Sequence, residues 1–181
     1  YATAYYHRGI ALNGAERYGD ALADFQRTAE LKPDMTMAWL MAGRLLIELD
    51  RPSEALTALD RAVELAPDFA KAWFFRGNSL AWLEQYEEAV ASYDQAIALA
   101  NQHRYYYEAA FAGELAAQLF FDWGKPRIAQ DYLTESYISY EKWGAIAKLQ
   151  HLKQSYPSIF NGHPNHTHSG QSITLKGSHN T

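Results

Sequence analysis

A single step of 34 residues constrains this chain more than any other feature. Tyr5, Trp39 and Trp73 are separated by it, as are Gly9, Gly43 and Gly77. The same step joins Leu12, Leu46 and Leu80, then Ala21, Ala55 and Ala89, and then Phe25, Leu59 and Tyr93. Pro33 and Pro67 also recur, with Asn101 in the third copy of that slot. Self-similarity at a fixed period of this size means a stack of like units, since one unit cannot cover its own apolar surface and neighbours must do so. Three units follow, 2–35, 36–69 and 70–103.

Within each unit the apolar spacing is helical. In the second, Trp39, Ala42, Gly43, Leu46 and Leu49 mark one face, and Ala55, Leu56, Leu59, Ala62, Val63 and Leu65 mark another. Between them lies Asp50-Arg51-Pro52-Ser53. Pro52 is tolerated there because the N–H groups of a first helical turn have no partner to lose. Each unit is therefore a pair of antiparallel helices. Asp34 and Asp68 are placed to cap the next helix or to sit at the positive end of its dipole. Gly43 is expected to face the second helix of its own unit, with Ala55 facing back, so that a larger residue would overpack the contact by roughly 1–3 kcal/mol.

The run Trp39-x2-Ala42-Gly43-x2-Leu46, followed by Ala55, Leu59, Ala62 and Pro67, resembles the tetratricopeptide repeat (TPR) family. The resemblance implies an all-α fold, a TPR α-solenoid in which antiparallel helix pairs wind into a right-handed superhelix. Arg8 and Arg76 stand where the family usually has an apolar residue, and Thr28 fills a small-residue slot.

After six extra residues, Arg104 to Ala109, the pattern returns in Ala116-Ala117, Phe120, Gly124, Pro126, Ala129, Leu133 and Ser136. Residues 104–143 thus read as a degenerate helix pair whose first helix extends backwards through Tyr105-Tyr106-Tyr107. Residues 144–160 read as a capping helix that covers the end of the stack, with Pro157 stopping it. The remaining 161–181, rich in Asn, Gly, His, Ser and Thr, reads as a flexible linker or tail. Tyr105-Tyr106-Tyr107-Glu108-Ala109 and Tyr140-x2-Trp143-Gly144-Ala145-x-Ala147-Lys148-Leu149 are also similar to a helical segment of large bacterial hybrid signalling proteins. Those join a kinase-like domain and an ATPase to a helical region, a GAF sensor and a histidine kinase. That likeness implies a regulatory helical arm, and a chain that opens on Tyr1 reads as a piece cut from a longer array.

The chemistry available is narrow. There is no cysteine, and the chain lacks the phosphate-cradling, nucleophile-elbow and zinc-protease motifs, so no catalytic residue is assigned and the chain is read as non-enzymatic. Lys and Arg total 16 against 21 Asp and Glu, a net charge of −5 that argues against nucleic acid as a partner. No apolar run suits membrane insertion, no leader is visible, and a cytoplasmic setting is expected. No cofactor or metal is assigned. His163, His166 and His168 form an H-x2-H-x-H cluster able in principle to hold Zn or Ni, which would support a metal-dependent enzyme. Free histidines in a polar linker account for the cluster more simply, as solvated groups account for Glu84, Glu87 and Glu88.

Aromatic residues are numerous. Trp39, Trp73, Tyr93 and Tyr132 fall on core slots, whereas Tyr6, Phe74, Phe75 and Trp82 lie off that stripe on the first helices of their units. In the TPR family those first helices line the concave face where partners dock. The resemblance therefore implies a partner-binding face of Tyr6, Ile10, Met37, Leu40, Met41, Arg44, Lys71, Phe74, Phe75 and Asn78, with His7 beside the first two. Such a surface suits an amphipathic helix or extended segment with apolar anchors and one acidic group. Of the Lys/Asn/Arg clamp that grips a C-terminal carboxylate in some TPR proteins, Lys71 matches one member, and Tyr6, Ile10, Met41 and Phe75 replace the others. Two partners are in view, a separate protein or peptide and neighbouring domains of the same polypeptide, for which the chain would act as an intramolecular relay.

Overall fold

A computed structural model describes residues 1–160, all of whose regular structure is helical. The helices are α1 (Ala2–Gly14), α2 (Tyr18–Leu31), α3 (Thr36–Glu48), α4 (Pro52–Leu65) and α5 (Ala70–Trp82). They continue with α6 (Tyr86–Gln102), α7 (Tyr106–Asp122), α8 (Pro126–Trp143), α9 (Ile146–Ser155) and α10 (Pro157–Phe160). Successive helices pack together, with the closest pairs being α1/α2, α3/α4, α5/α6 and α7/α8. First helices also meet, α3 with α5 and α5 with α7, so they form one continuous surface of the stack. The tail histidines and the linker assigned to 161–181 lie outside the described residues.

The glycine slot works differently from expectation. A Cβ on Gly43 would lie 2.5 Å from Leu59 Cγ, and one on Gly77 would lie 2.7 Å from the Tyr93 ring. On Gly9 it would lie 3.0 Å from the Phe25 ring. The glycine thus makes room for the large side chain sixteen positions on, with Leu59, and not Ala55, lying nearest to Gly43. Phe25, Leu59 and Tyr93 are consequently buried.

Trp39 and Trp73 each donate an indole N–H to a backbone carbonyl of the preceding turn, Pro33 and Pro67, at 2.9 Å. This explains why tryptophan and proline recur together, since the bulky ring fills the space and its polar handle ties down the turn between units. The helix starts are plainer than expected. Met35 and Phe69 occupy the N-cap positions of α3 and α5, and neither helix has a side-chain cap, so Asp34 and Asp68 do not cap them.

Inside each pair the turn passes through a left-handed residue, Glu16, Asp50, Glu84 or Gly124, all at φ between 59° and 71°. The next N–H reaches back five residues, as from Arg51 to Leu46 at 2.8 Å, which satisfies a carbonyl the helix end would leave open. Arg104 and Gly144 use the same turn between pairs, replacing the proline-bearing connection. The six extra residues lengthen α6 and α7 at the expense of one residue of their connection.

The rear of the stack is closed by α9, whose Leu152 is fully buried against the α7/α8 core. Pro157 ends α9 and at once opens the short α10, so the closing segment is a helix with a bent extension. Glu114 on α7 accepts from the Tyr140 hydroxyl of α8 and from Lys148 Nζ of α9, both at 2.9 Å. Burial and the nearby Glu114 charge hold the Tyr140 phenol above its usual range, which keeps it a donor. Three helices therefore meet at one carboxylate.

Arg8 and Arg76, the two departures from an apolar slot, are both answered across helices. Arg8 grips the buried Asp24 with two hydrogen bonds of 2.7 and 2.6 Å. That contact holds the Asp24 carboxyl below its usual value despite its burial. Arg76 reaches Asp60 at 2.7 Å and Ser92 at 2.6 Å, joining α4 to α6 through α5.

Candidate functional site

The surface of first helices holds two hollows, and the residue stripes explain both. Positions 37, 41 and 44 on α3, 71, 74 and 75 on α5, and 107, 108 and 111 on α7 share one face of each helix by the three-to-four spacing. They line a hollow of about 390 Å³. One turn further on, Ile47, Asn78, Trp82 and Asp122 line a second of about 370 Å³.

Of the implied partner-binding residues, Met37, Leu40, Met41, Arg44, Lys71, Phe74 and Phe75 gather around the first hollow. Leu40 is only 3% exposed and forms floor rather than contact surface. Tyr6 lies apart, its ring edge-on to Phe25 at 5.7 Å, and Ile10 is exposed on α1 away from the hollow. Asn78 lines the second hollow and accepts a 2.8 Å hydrogen bond from the Tyr93 hydroxyl.

Three residues of the far wall were missed from the sequence: Tyr107, Glu108 and Phe111. Tyr107 and Glu108 lie within the six-residue insertion and Phe111 just after it, which takes them out of the 34-residue register that flagged the others. The signal that could have found them is the Tyr105-Tyr106-Tyr107 run at the start of α7. Their rings extend the aromatic floor. Phe75, Phe74 and Phe111 follow one another at 5.1 and 5.6 Å, then Tyr107 at 6.0 Å and Trp143 at 4.9 Å.

Charge is placed unevenly around the first hollow. Lys71 and Glu108 face each other at 3.9 Å, nearly neutralising each other. Arg44 donates to the neutral Asn13 side chain at 2.8 Å and, among the described residues, pairs with no carboxylate. The hollow is thus apolar and Met/aromatic-walled with one cation in excess. It also lies toward the N-terminal halves of α5 and α7, whose dipoles are positive there. Chemically it can hold an apolar anchor next to an acidic group. No group of three or more His, Asp or Glu side chains among the described residues has the geometry of a metal site. No described helix is long and apolar enough to cross a membrane.

Comparison with known proteins agrees with this architecture. A tetratricopeptide repeat family model matches residues 40–104. Among solved structures, the chain is similar to YrrB, a TPR protein with an unusual peptide-binding site, at 25% identity and a TM-score of 0.69. That likeness covers 84% of this chain and 74% of YrrB. MamA from Desulfovibrio magneticus RS-1 shares the fold at 21% identity and a TM-score of 0.68, over 86% of this chain and 77% of its own. The first TPR of Spaghetti (RPAP3), bound to the HSP90 peptide SRMEEVD, does so at 18% identity and a TM-score of 0.61, over 68% and 93%. Among curated proteins, the Dictyostelium discoideum hybrid signal transduction histidine kinase G is 34% identical over 62 residues. That stretch is 34% of this chain but only 2% of the relative.

Proposed function

We propose that this chain, a tetratricopeptide-repeat protein, is a non-catalytic interaction module that holds a protein segment in its first hollow by apolar anchors and one acidic residue. The observation that carries the reading is the convergence of α3, α5 and α7 on one apolar hollow rimmed by Arg44, which among the described residues pairs with no carboxylate. Met37 and Met41 supply adaptable walls, and Phe74 and Phe111 supply rigid ones. The peptide-binding site of YrrB and the peptide bound to the Spaghetti domain support the same mode of use. The Lys/Asn/Arg clamp is not part of the proposal, because apolar residues occupy most of its positions.

Selection of peptides from a displayed random library on the purified chain tests this. Binders should pair apolar residues with an Asp or Glu. Phe111→Ala and Arg44→Glu should each weaken a selected peptide by about tenfold while leaving helicity unchanged. Selected peptides that bind both variants as well as the parent would sink the assignment.

A second reading, in which the segment held belongs to a neighbouring domain of a longer cytoplasmic signalling polypeptide, draws support from the kinase alignment and from the Trp143-Gly144-Ala145-x-Ala147-Lys148 run. In this reading the chain relays contacts between catalytic domains. The surrounding gene decides it: ATPase motifs upstream and a phosphoacceptor-histidine box downstream are expected, and their absence ends the reading.

A further inference from the structure

The second hollow has the opposite chemistry from the first. It sits where α3, α5 and α7 end, with Ile47 next to the last residue of α3, Trp82 the last of α5 and Asp122 the last of α7. None of these three helices carries a basic residue in its last turn, so three negative dipole ends gather there with no cationic side chain of their own to offset them. The Asp122 carboxylate adds a full negative charge. It accepts 3.0 Å from the Gln118 amide and, among the described residues, forms no ion pair. Lys125, the nearest basic residue in sequence, sits instead over the Trp123 ring at 3.1 Å. The remaining walls are largely aromatic and aliphatic: Trp82 is 58% exposed, and Tyr86, Ile47 and Leu115 share the lining.

We infer that this second hollow is a binding site for an arginine side chain of a partner protein, which stacks on Trp82 and pairs with Asp122. The planar guanidinium suits an indole face and a carboxylate together, because it is weakly hydrated, stacks well and donates in a fixed fork. A volume of about 370 Å³ is ample for one such side chain with its methylene stem. The site does not rest on the first hollow and does not require it to be filled. A partner that fills both would carry an acidic group and an arginine on one segment.

The test uses N-acetyl-arginine amide as probe and N-acetyl-citrulline amide as its uncharged counterpart. The readout is the Trp82 indole N–H resonance, assigned through Trp82→Phe. Arginine amide should move that resonance saturably, and citrulline amide should leave it in place. Asp122→Asn should weaken the arginine titration by about tenfold, and Phe111→Ala, in the first hollow, should leave it unchanged. Equal shifts from citrulline amide, or unaltered affinity in Asp122→Asn, would overturn the site. So would loss of the titration in Phe111→Ala. Both Trp82 and Asp122 are exposed, so unchanged circular dichroism and melting should accompany Trp82→Phe and Asp122→Asn.

Discussion

In the second and third helix pairs a tryptophan fills the slot beside the unit's opening turn and a glycine yields space four residues later. In the fourth pair neither residue is kept. Gly113 stands in the tryptophan slot and lies against Ser136, whereas Ala117 stands in the glycine slot, near the buried Leu133. The tryptophan-to-proline hydrogen bonds of the front have no counterpart there, and the connections before and after the pair turn through left-handed Arg104 and Gly144 instead. What the rear has in their place is polar: Glu114, Tyr140 and Lys148 join three helices at one point. A solenoid can therefore keep its geometry while exchanging shape complementarity at one end for a charged clasp at the other. The exchange permits a non-repeating helix, α9, to close the stack.

The comparison breaks most readily at the rear. Leu152 is fully buried and is the main apolar tie between α9 and the fourth pair, so Leu152→Ala should cost about 2–5 kcal/mol. Because a stack transmits stability only through neighbours, amide exchange should rise in α9 and α8 well before it rises in α1 to α4. Uniform loss of protection would mean the two ends are not separable. At the front, Gly43→Ala should destabilise by about 1–3 kcal/mol although alanine is the better helix former, because Leu59 occupies the space. Ala117→Gly at the equivalent rear position should also destabilise, by about 1 kcal/mol or more, through backbone entropy and the loss of a buried methyl. Urea melts in a Leu59→Ala background separate the causes: Gly43→Ala should lose its cost there, whereas Ala117→Gly should keep its own.

The acid limb offers a smaller effect. Asp24 is held below its ordinary value by Arg8, so the folded state binds fewer protons at this group than the unfolded one. Its contribution is complete above the unfolded carboxylate range, near pH 4, and is lost as pH falls through the lower folded value. Asp24→Asn should accordingly flatten the fall in melting temperature between about pH 4 and pH 2. An unaltered slope would show that other carboxylates govern it. The smallest change expected concerns Ser79, whose hydroxyl is fully buried and has no partner among the described residues. Ser79→Ala should raise stability by up to about 1 kcal/mol, and a loss in thermal melting would reveal a partner for that hydroxyl.

Much of the architecture was legible because the signal repeats. Trp39 and Trp73, Pro33 and Pro67, and the glycine trio could each be read three or two times at one spacing, which separates pattern from accident. The site was legible only in part. Seven of its implied residues surround the first hollow because α3 and α5 keep the register. Tyr6 and Ile10 fall outside it because the hollow is built by the third, fifth and seventh helices, not the first. Tyr107, Glu108 and Phe111 escaped notice because the insertion broke the spacing by which the rest were found. The opposed charge of the two hollows was not legible at all, since it depends on which helix ends come together.

The amino-acid sequence by itself determined the helix pairs, their number in the regular part and the slots that must be large or small, because helical periodicity and side-chain volume are local properties that repetition amplifies. Only the tertiary structure decided that Leu59 and not Ala55 fills the space at Gly43, that Arg8 and Arg76 find acids across helices, and that two hollows of opposite charge share one face. These depend on distances between residues sixteen or more apart, which no spacing along the chain encodes until the helices are stacked.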